Sequence, residues 1–317
     1  KSLMNNLPKI ALGTWSWGAG FAGGDQVFGN HLKEEDLKNI FDEAMNSGLN
    51  LWDTAVVYGM GSSEKMLAQF TQQYPRENVL ISTKFTPQIA PQFNNSLEEM
   101  LQSSLERFGT NYIDIYWVHN PTDAPKWIDF LIPLLKNGKV KSVGVSNHNL
   151  AEIKQANAIL AKEGFRISAV QNHYSLLYRS SEEAGILDYC NQNDITFFAY
   201  MVLEQGALSG KYNTQNPLPE GSGRGNSYNT ILPELEALTN AMKTMGESKD
   251  ATIAQIAIAW AIAKNTLPII GVTKLHHIQD AVKASEINLT RKEIEDLETL
   301  AEATGINTKG AWEKPMV

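Results

Sequence analysis

Four residues in the first half of the chain carry side chains that together could build a tuned proton donor: Asp53, Tyr58, Lys84 and His119. A phenol with a pKa near ~10 keeps its proton at neutral pH, and a nearby ammonium lowers that pKa by stabilising the phenolate. A carboxylate beside the ammonium keeps it charged and in place. A histidine can orient a substrate oxygen or assist the proton transfer. This set suits the protonation of an oxygen that is becoming an alkoxide.

Each of the four also has an ordinary structural interpretation. A lysine after a strand is commonly a solvated loop charge, and an aspartate such as Asp53, which precedes Thr54, often caps a turn. A tyrosine in a loop often packs as a wedge, and a single histidine is more often structural than catalytic. The chemical interpretation therefore depends on whether the fold brings the four side chains to one place.

The elements that would position them come from an alternation of short β-branched or aromatic runs with longer segments of helical periodicity. The predicted strands span 8–15, 49–54, 79–84, 113–118, 140–145, 168–173, 196–200 and 267–272. The predicted helices span 33–47, 63–70, 96–108, 127–136, 150–162, 183–192, 233–263 and 277–284. Eight such units favour a single-domain (β/α)8 TIM barrel over 1–317. An open doubly wound sheet is the alternative, but no GxGxxG turn follows the first strand.

In such a barrel the active site lies at the carboxyl ends of the strands. Asp53, Lys84 and His119 fall at or just after the ends of three successive predicted strands, and Tyr58 lies in the loop after the first of them. We therefore expect the four to meet at one rim. Further polar residues at strand ends are Ser146, Asn147, Gln171, Tyr200, Thr273 and Lys274.

Composition restricts the class of protein. The chain has 317 residues, 43% of them hydrophobic and 20% charged, which is typical of a soluble globular protein. A net charge of −8 disfavours nucleic acid and anionic membranes as partners. Cys190 is the only cysteine, so no intrachain disulfide can form, and a cytoplasmic location fits. No apolar run is long enough to span a membrane, and the start lacks a signal-peptide pattern.

Other catalytic chemistries lack their motifs. There is no GxSxG nucleophile and no HExxH metal motif, so we expect no metal site. Without a nucleophile or a metal, the reaction needs an electrophile or hydride from a cofactor. The sequence does not indicate an oligomeric state.

Over nearly its whole length the sequence resembles the aldo-keto reductase superfamily. The motifs are NLWDTAVVYGMGSSEKMLA at 50–68, ISTKF at 81–85, SLERFGTNYIDIYWVHNP at 104–121 and GKVKSVGVSN at 138–147. The resemblance implies that Tyr58 donates a proton to a carbonyl oxygen, that Lys84 paired with Asp53 lowers its pKa, and that His119 orients the carbonyl. It implies reversible reduction of an aldehyde or ketone, a small-molecule carbonyl substrate, by NADPH, with NADH less favoured.

The resemblance also implies the cofactor contacts. Ser146, Asn147 and Gln171 would hydrogen-bond the nicotinamide carboxamide, and Tyr200 would stack on the ring. The segment GALSGKY at 206–212 resembles the loop over the pyrophosphate, and the segment at 271–281 resembles the adenosine-phosphate segment. The implied contacts are Leu203, which precedes the first segment, together with Gly206, Leu208, Gly210, Lys211, Gly271, Thr273, Lys274 and His277 in the two segments. The Gly- and Pro-rich loop at 213–230 would cover the cofactor, with Arg224 near a phosphate.

The sequence departs from the family pattern at three places near the cofactor. Met201 and Val202 follow Tyr200 where many relatives have Ser-Pro-Leu. Ala281 stands where an asparagine near the adenine is common, and His277 stands where some relatives have arginine. Because histidine is only partly charged at neutral pH, we expect a softer preference for the 2′-phosphate.

Aromatic residues near the four polar groups are candidates for the substrate pocket: Trp15, Trp17, Phe85 and Trp117. Aromatic walls suit an apolar or planar carbonyl compound, whereas barrel packing is the alternative for Trp117 and for Trp52. The tail at 304–317 carries Trp312 and either closes over the pocket or lies on the outer surface. The alternative function is a nicotinamide-binding regulatory or interaction subunit with little turnover, like the channel-associated β-subunits of this superfamily.

Overall fold

The computed structural model describes residues 3–19 and 32–316. Eight parallel strands close into a barrel in which each strand is hydrogen-bonded to its neighbours in chain order. The strands are β1 (Ala11–Gly13), β2 (Leu51–Asp53), β3 (Leu80–Phe85), β4 (Ile113–Val118), β5 (Val140–Ser146), β6 (Ala169–His173), β7 (Thr196–Tyr200) and β8 (Leu267–Gly271). The predicted (β/α)8 barrel is therefore confirmed, and each predicted strand overlaps an observed one.

The α-helices in the described ranges surround the barrel. They are α1 (Glu34–Asn46), α2 (Ser62–Thr71), α3 (Leu97–Phe108), α4 (Ala124–Lys136), α5 (Leu150–Ala161), α6 (Ser180–Glu183), α7 (Ile186–Gln192), α8 (Gly223–Tyr228), α9 (Leu232–Glu247), α10 (Ile253–Ala263), α11 (Leu275–Ala284) and α12 (Arg291–Ala303). The start of α3 shows how local sequence sets a boundary, because the Ser96 side chain accepts a hydrogen bond from the backbone N–H of Glu99. None of the helices in these ranges is long and apolar enough to cross a membrane.

Four helical regions differ from the prediction. The predicted helix at 233–263 is two helices, because Thr252 forms a capping box with Gln255 and starts α10 afresh. The predicted helix at 183–192 is divided into α6 and α7 by Gly185, whose φ is 85°. The loop at 213–230 contains α8, and α12 was not predicted although Thr290 and Glu293 form a capping box at its start.

A separate cluster of buried residues fills the inside of the barrel. Its members come from seven strands and are Ala11, Leu51, Leu80, Ile115, Trp117, Ala169, Phe198 and Leu267. The remaining strand, β5, contributes Gly144, where an added Cβ would lie 2.5 Å from the Trp117 ring and 2.8 Å from the Ala169 carbonyl oxygen. Gly144 therefore leaves the room that the Trp117 indole occupies.

We expect Gly144→Ala to lower the free energy of unfolding by about 1–3 kcal/mol, because the methyl group overpacks the inside of the barrel. Thermal unfolding followed by circular dichroism measures this, with Gly271→Ala as the matched control because open space surrounds Gly271. Equal melting temperatures for the two variants would show that the Trp117 ring shifts to make room for the methyl group without loss of stability.

Candidate active site

The four ionisable residues converge at the carboxyl end of the barrel. Asp53 ends β2, Lys84 lies near the end of β3, and His119 directly follows β4. The centre of the Tyr58 ring lies 5.3 Å from Lys84 Nζ and 6.0 Å from the centre of the His119 ring. Asp53 Oδ2 accepts a hydrogen bond of 2.7 Å from Lys84 Nζ. The structure thus brings together the residues that the sequence pattern had only placed at successive strand ends.

Lys84 is a fully buried cation. Its Nζ donates to Asp53 Oδ2 and to the backbone oxygen of Thr54, both at 2.7 Å. Burial opposes the charge, but the attraction of Asp53 and of Tyr58 outweighs it and raises the pKa of Lys84 above its usual value. The side chain is therefore an ammonium throughout the neutral range, directed at the ring of Tyr58.

The Asp53 carboxylate is held on its other side by a chain of hydrogen bonds. Its Oδ1 accepts from Ser82 Oγ at 2.7 Å and from Gln171 Nε2 at 3.3 Å. Ser82 Oγ in turn accepts from Trp117 Nε1 at 2.7 Å. Trp117, expected in the substrate pocket, is instead a fully buried side chain inside the barrel that fixes the carboxylate from below.

The phenol of Tyr58 is protonated at neutral pH. Burial raises its pKa above the usual value, and the Lys84 ammonium works in the opposite direction. Lys84 does lower the pKa of Tyr58 as expected, but burial of the phenol raises that pKa by more. Tyr58 therefore carries its proton in the resting state, and the Lys84 ammonium lies where it would stabilise a phenolate.

His119 is neutral. Burial lowers its pKa to about 3, and the nearby Lys84 ammonium contributes in the same direction. Its Nδ1 lies 2.7 Å from Thr86 Oγ1. When the Thr86 hydroxyl donates to Nδ1, the ring proton resides on Nε2, and that nitrogen can donate to an oxygen beside Tyr58.

A group of two amides, one phenol and one serine hydroxyl lies beside this centre. Asn147, whose φ is 59°, donates from Nδ2 to the backbone oxygen of His119 at 2.9 Å. The Tyr200 hydroxyl donates to Asn147 Oδ1, and Ser146 Oγ donates to the Gln171 backbone oxygen at 2.7 Å. These four residues border the same cavity as Tyr58 and His119. A planar ring bearing an amide would find hydrogen-bonding and stacking partners there.

That cavity has a volume of about 2240 Å³. Its lining includes most of the residues expected to contact a cofactor beyond the nicotinamide: Leu203, Gly206, Gly210, Lys211, Gly271, Thr273, Lys274 and His277. Leu208 is the exception, since its side chain is fully buried in the core beneath the loop. Among residues 3–19 and 32–316, no three His, Cys, Asp or Glu side chains are placed to share a metal ion.

His277 caps a helix and carries no charge. Its Nδ1 accepts hydrogen bonds from the backbone N–H groups of Thr273 at 3.1 Å and of Lys274 at 3.2 Å, at the start of α11. Burial lowers the pKa of His277 to about 4, and the neighbouring His276 adds to this. The partial positive charge expected of His277 is therefore absent at neutral pH, and Lys274 and Lys211 are exposed cations on the same cavity.

An aromatic wall borders the cavity beside Tyr58. The Trp15 ring stacks on the Tyr58 ring at 5.8 Å, and the Trp312 ring meets Trp15 edge-on at 6.2 Å. Trp312 is 51% exposed and donates from Nε1 to the Tyr200 hydroxyl at 3.1 Å. The C-terminal tail therefore borders the cavity, which decides between the two positions that the sequence left open.

Two further aromatic candidates do not line this cavity. Trp17 is buried, donates from Nε1 to the Val272 backbone oxygen at 2.8 Å and packs on Trp52 at 5.5 Å. Phe85 is buried against Trp127, with ring centres 4.6 Å apart. Because side chains alternate along a strand, Phe85 faces the helices when its neighbour Lys84 faces the barrel interior.

Sequence reasoning missed a polar rim on the same cavity. Asn120 Nδ2 donates to Gln88 Oε1 at 2.6 Å, and Gln88 Nε2 donates to Thr122 Oγ1 at 3.1 Å. All three residues border the cavity from the loops after β3 and β4. The position of these loops at the active end of the barrel is the one signal that could have identified them.

Comparison with known proteins assigns this barrel to an enzyme class. The chain, with its buried Lys84–Asp53 pair beside Tyr58, is an oxidoreductase. The family model described as the Aldo/keto reductase family matches residues 9–302, and the chain belongs to that family. The family resemblance expected from the motifs is thereby confirmed.

Individual relatives are distant but cover most of the chain. Pyridoxal reductase, chloroplastic, from Arabidopsis thaliana is 29% identical over 93% of this chain and 84% of that protein. The aldo-keto reductase yakc of Schizosaccharomyces pombe, whose name specifies NADP(+), is 29% identical over 86% of this chain and 85% of that protein. A Klebsiella pneumoniae aldo/keto reductase, solved with NADP and acetate, matches the fold with a TM-score of 0.72 at 23% identity, covering 98% and 94% of the two chains.

Proposed function

We propose that the protein catalyses the reversible, NADPH-dependent reduction of an aldehyde or ketone to an alcohol. The observation that carries this proposal is the buried Lys84–Asp53 ion pair, which lies beside Tyr58 and His119 on the wall of a large cavity. A buried cation next to a protonated phenol stabilises the anion that is left when the phenol gives up its proton. Membership of the Aldo/keto reductase family supports the same reaction.

Tyr58 is the proposed proton donor to the carbonyl oxygen. As its proton leaves, negative charge develops on the phenol oxygen, and Lys84 stabilises that charge without moving. His119, neutral and bonded to Thr86, donates from Nε2 to the same carbonyl oxygen and fixes its position. In the direction of alcohol oxidation the Tyr58 phenolate takes the proton back.

The proposed cofactor is NADPH, which supplies the hydride when bound. Asn147, Gln171 and Ser146 would hold the nicotinamide amide, and Tyr200 would stack on the ring. Lys211 and Lys274 are exposed cations on the same cavity and would contact phosphate groups. The NADP(+) in the name of the yeast relative supports this choice of cofactor.

The proposed substrates are small apolar or planar carbonyl compounds. Trp15 and Trp312 offer aromatic surface on one side of Tyr58, and the amides of Gln88 and Asn120 lie on the polar rim. An aromatic wall favours a flat substrate, and an amide rim favours one with hydrogen-bonding substituents.

Following the absorbance of NADPH in the presence of a panel of aldehydes, ketones and quinones tests the proposal. A flat heteroaromatic aldehyde such as pyridoxal belongs in the panel, given the name of the Arabidopsis relative. We expect turnover of at least one carbonyl compound. Tight binding of NADPH without turnover of any would instead favour a nicotinamide-binding regulatory or interaction subunit.

Lys274→Ala is expected to weaken binding of NADPH more than binding of NADH, because only NADPH carries the 2′-phosphate. The loss of one phosphate contact by a charged side chain corresponds to about 1.5–3 kcal/mol, or roughly tenfold to 150-fold in Kd. Fluorescence titration with each cofactor measures it, and Lys292→Ala, on the exposed face of α12, is the control. An equal loss of affinity for both cofactors would show that Lys274 does not contact the 2′-phosphate.

A further inference from the structure

A buried imidazole outside the reacting centre joins the C-terminal tail to the loop after β7. His173 ends β6 and is 1% exposed. Its Nδ1 lies 2.9 Å from Glu313 Oε2, and its Nε2 lies 2.9 Å from Glu204 Oε2. Both glutamates are buried as well. The proposed reaction uses none of these three residues.

The two contacts require a charged ring. Carboxylate oxygens only accept hydrogen bonds, and a neutral imidazole has a single N–H to donate. Holding Glu204 and Glu313 at once therefore needs the imidazolium form of His173. Burial opposes this charge, but Glu204 and then Glu313 outweigh it and raise the pKa of His173 to about 9.

Other polar groups complete the surroundings of this ion triad, the name used below for His173, Glu204 and Glu313. The rings of Tyr178 and Tyr200 stack on the imidazole with centres 4.4 Å and 5.6 Å away. The other titratable or charged groups packed against the triad are Tyr228, which donates to Glu204 Oε1 at 2.9 Å, and Lys309, which donates to the Glu313 backbone oxygen at 3.3 Å. The neutral donors are Ser175 and Thr308 to Glu204, and the Gly310 backbone N–H to Glu313.

On one side the triad anchors the loop that carries the proposed phosphate contacts. Met201, Glu204 and Gln205 adopt left-handed backbone conformations, with φ of 60°, 50° and 56°. Such conformations are unfavourable for residues with a Cβ and persist only where surrounding contacts hold them. The buried Glu204 carboxylate, bonded to His173 and Tyr228, supplies that anchor.

On the other side the triad holds the tail against Tyr200 and Asn147, two of the proposed nicotinamide contacts. The Tyr200 hydroxyl lies 3.2 Å from Glu313 Oε1 and accepts a hydrogen bond from the adjacent Trp312. Tyr200 in turn donates to Asn147. The tail, the proposed nicotinamide contacts and the loop at 201–212 therefore all connect to the buried ring of His173.

We infer that His173, Glu204 and Glu313 are positioning residues that couple the closure of the tail at 304–316 to the ordering of the cofactor loop at 201–212. NADPH would then strengthen the docking of the tail, and the docked tail would strengthen the binding of NADPH. The inference rests on the proposed function only in assigning the 201–212 loop to the cofactor. Because the coupling depends on the imidazolium, it is complete below the ordinary pKa of histidine and is lost as the pH rises through about 9.

The test is hydrogen–deuterium exchange of the full chain, with and without NADPH, across the range from neutral to about pH 10. In the wild type we expect NADPH to slow exchange in both segments, and we expect this protection to disappear at high pH. Glu313→Gln keeps an acceptor for Nδ1 but removes one of the two anions, so protection should disappear at a lower pH. We also expect NADPH to bind this variant at least about fivefold more weakly.

Two further variants make the test specific. Glu295→Gln removes an exposed carboxylate paired with Arg291 on α12, and it should behave as wild type. Tyr228→Phe removes one hydrogen bond to Glu204 from outside the tail, and it should speed exchange at 304–316 as well as at 201–212. This milder variant keeps the inference testable if Glu313→Gln folds poorly.

Three results would overturn the inference. Faster exchange at 304–316 alone in Glu313→Gln, with wild-type NADPH affinity, would mean that the triad only anchors the tail. If protection in Glu313→Gln disappeared at the same pH as in the wild type, His173 would not be the titrating group. An effect of Tyr228→Phe confined to 201–212 would mean that the two segments are not coupled. A wild type that fails to bind NADPH would overturn the proposed function instead, and exchange without NADPH would still test the coupling.

Discussion

Replacing Tyr58 with phenylalanine is expected to lower kcat by about 10²–10⁴-fold while leaving the affinity for NADPH close to that of the wild type. The variant removes the hydroxyl that is expected to protonate the carbonyl oxygen and keeps the ring that stacks on Trp15. The Lys84–Asp53 pair stays intact, so the fold and the electrostatics of the rim are preserved. Initial rates with a carbonyl substrate found in the panel, together with a fluorescence titration of NADPH, separate the two effects.

The matched control is Tyr189→Phe. Tyr189 lies on α7 and its hydroxyl accepts a hydrogen bond from Asn157 Nδ2 at 3.1 Å, away from the cavity. Removing this hydroxyl should leave kcat unchanged. Wild-type kcat in Tyr58→Phe would show that the proton comes from elsewhere, and a parallel loss of NADPH affinity would show that the hydroxyl serves binding.

The convergence of the four residues could be predicted because it needs only the positions of the strand ends and the closed parallel barrel. A strand is recognised by its β-branched and aromatic residues, and in a parallel barrel all carboxyl ends share one rim. The boundaries of β4 (Ile113–Val118) and β7 (Thr196–Tyr200) match the prediction residue for residue. The ends of three strands therefore fix the positions of Asp53, Lys84 and His119.

The direction of individual aromatic side chains could not be predicted in the same way. Trp117 and Phe85 lie on neighbouring strands, yet the first faces the barrel interior and the second faces the helices. The depth of an inward residue below the rim depends on the stagger between strands, which the sequence of one strand does not contain. For this reason Trp117 lies buried beneath Asp53, where it donates to Ser82, and it does not line the cavity.

Contacts between distant segments were also beyond the sequence pattern. His173 is 31 residues from Glu204 and 140 residues from Glu313, and no periodicity relates such positions. The same holds for the Trp312 ring at the cavity, since a tail without regular structure has no strand end to fix it. The sequence shows only that these residue types are present, whereas the fold shows that His173 and the two glutamates are buried together.

Lys84→Met is expected to have the second large effect, on both stability and turnover. Methionine fills much of the space of the lysine stem but leaves Asp53 as a buried carboxylate without its cation, and Thr54 loses a donor to its backbone oxygen. Removing one partner of a buried pair costs about 3–5 kcal/mol of unfolding free energy. By contrast, Lys38→Met, which breaks an exposed pair with Asp42 on α1, should cost no more than about 0.5 kcal/mol.

A double variant separates the structural part of this effect from the chemical part. In Asp53→Asn/Lys84→Met the uncompensated charge is gone, so denaturant unfolding should recover a substantial part of the lost stability. Turnover should not recover, because the phenolate left by Tyr58 still lacks its ammonium partner. If kcat returned together with stability, Lys84 would matter only for holding Asp53 in the fold, and the tuning of Tyr58 would have to come from another group.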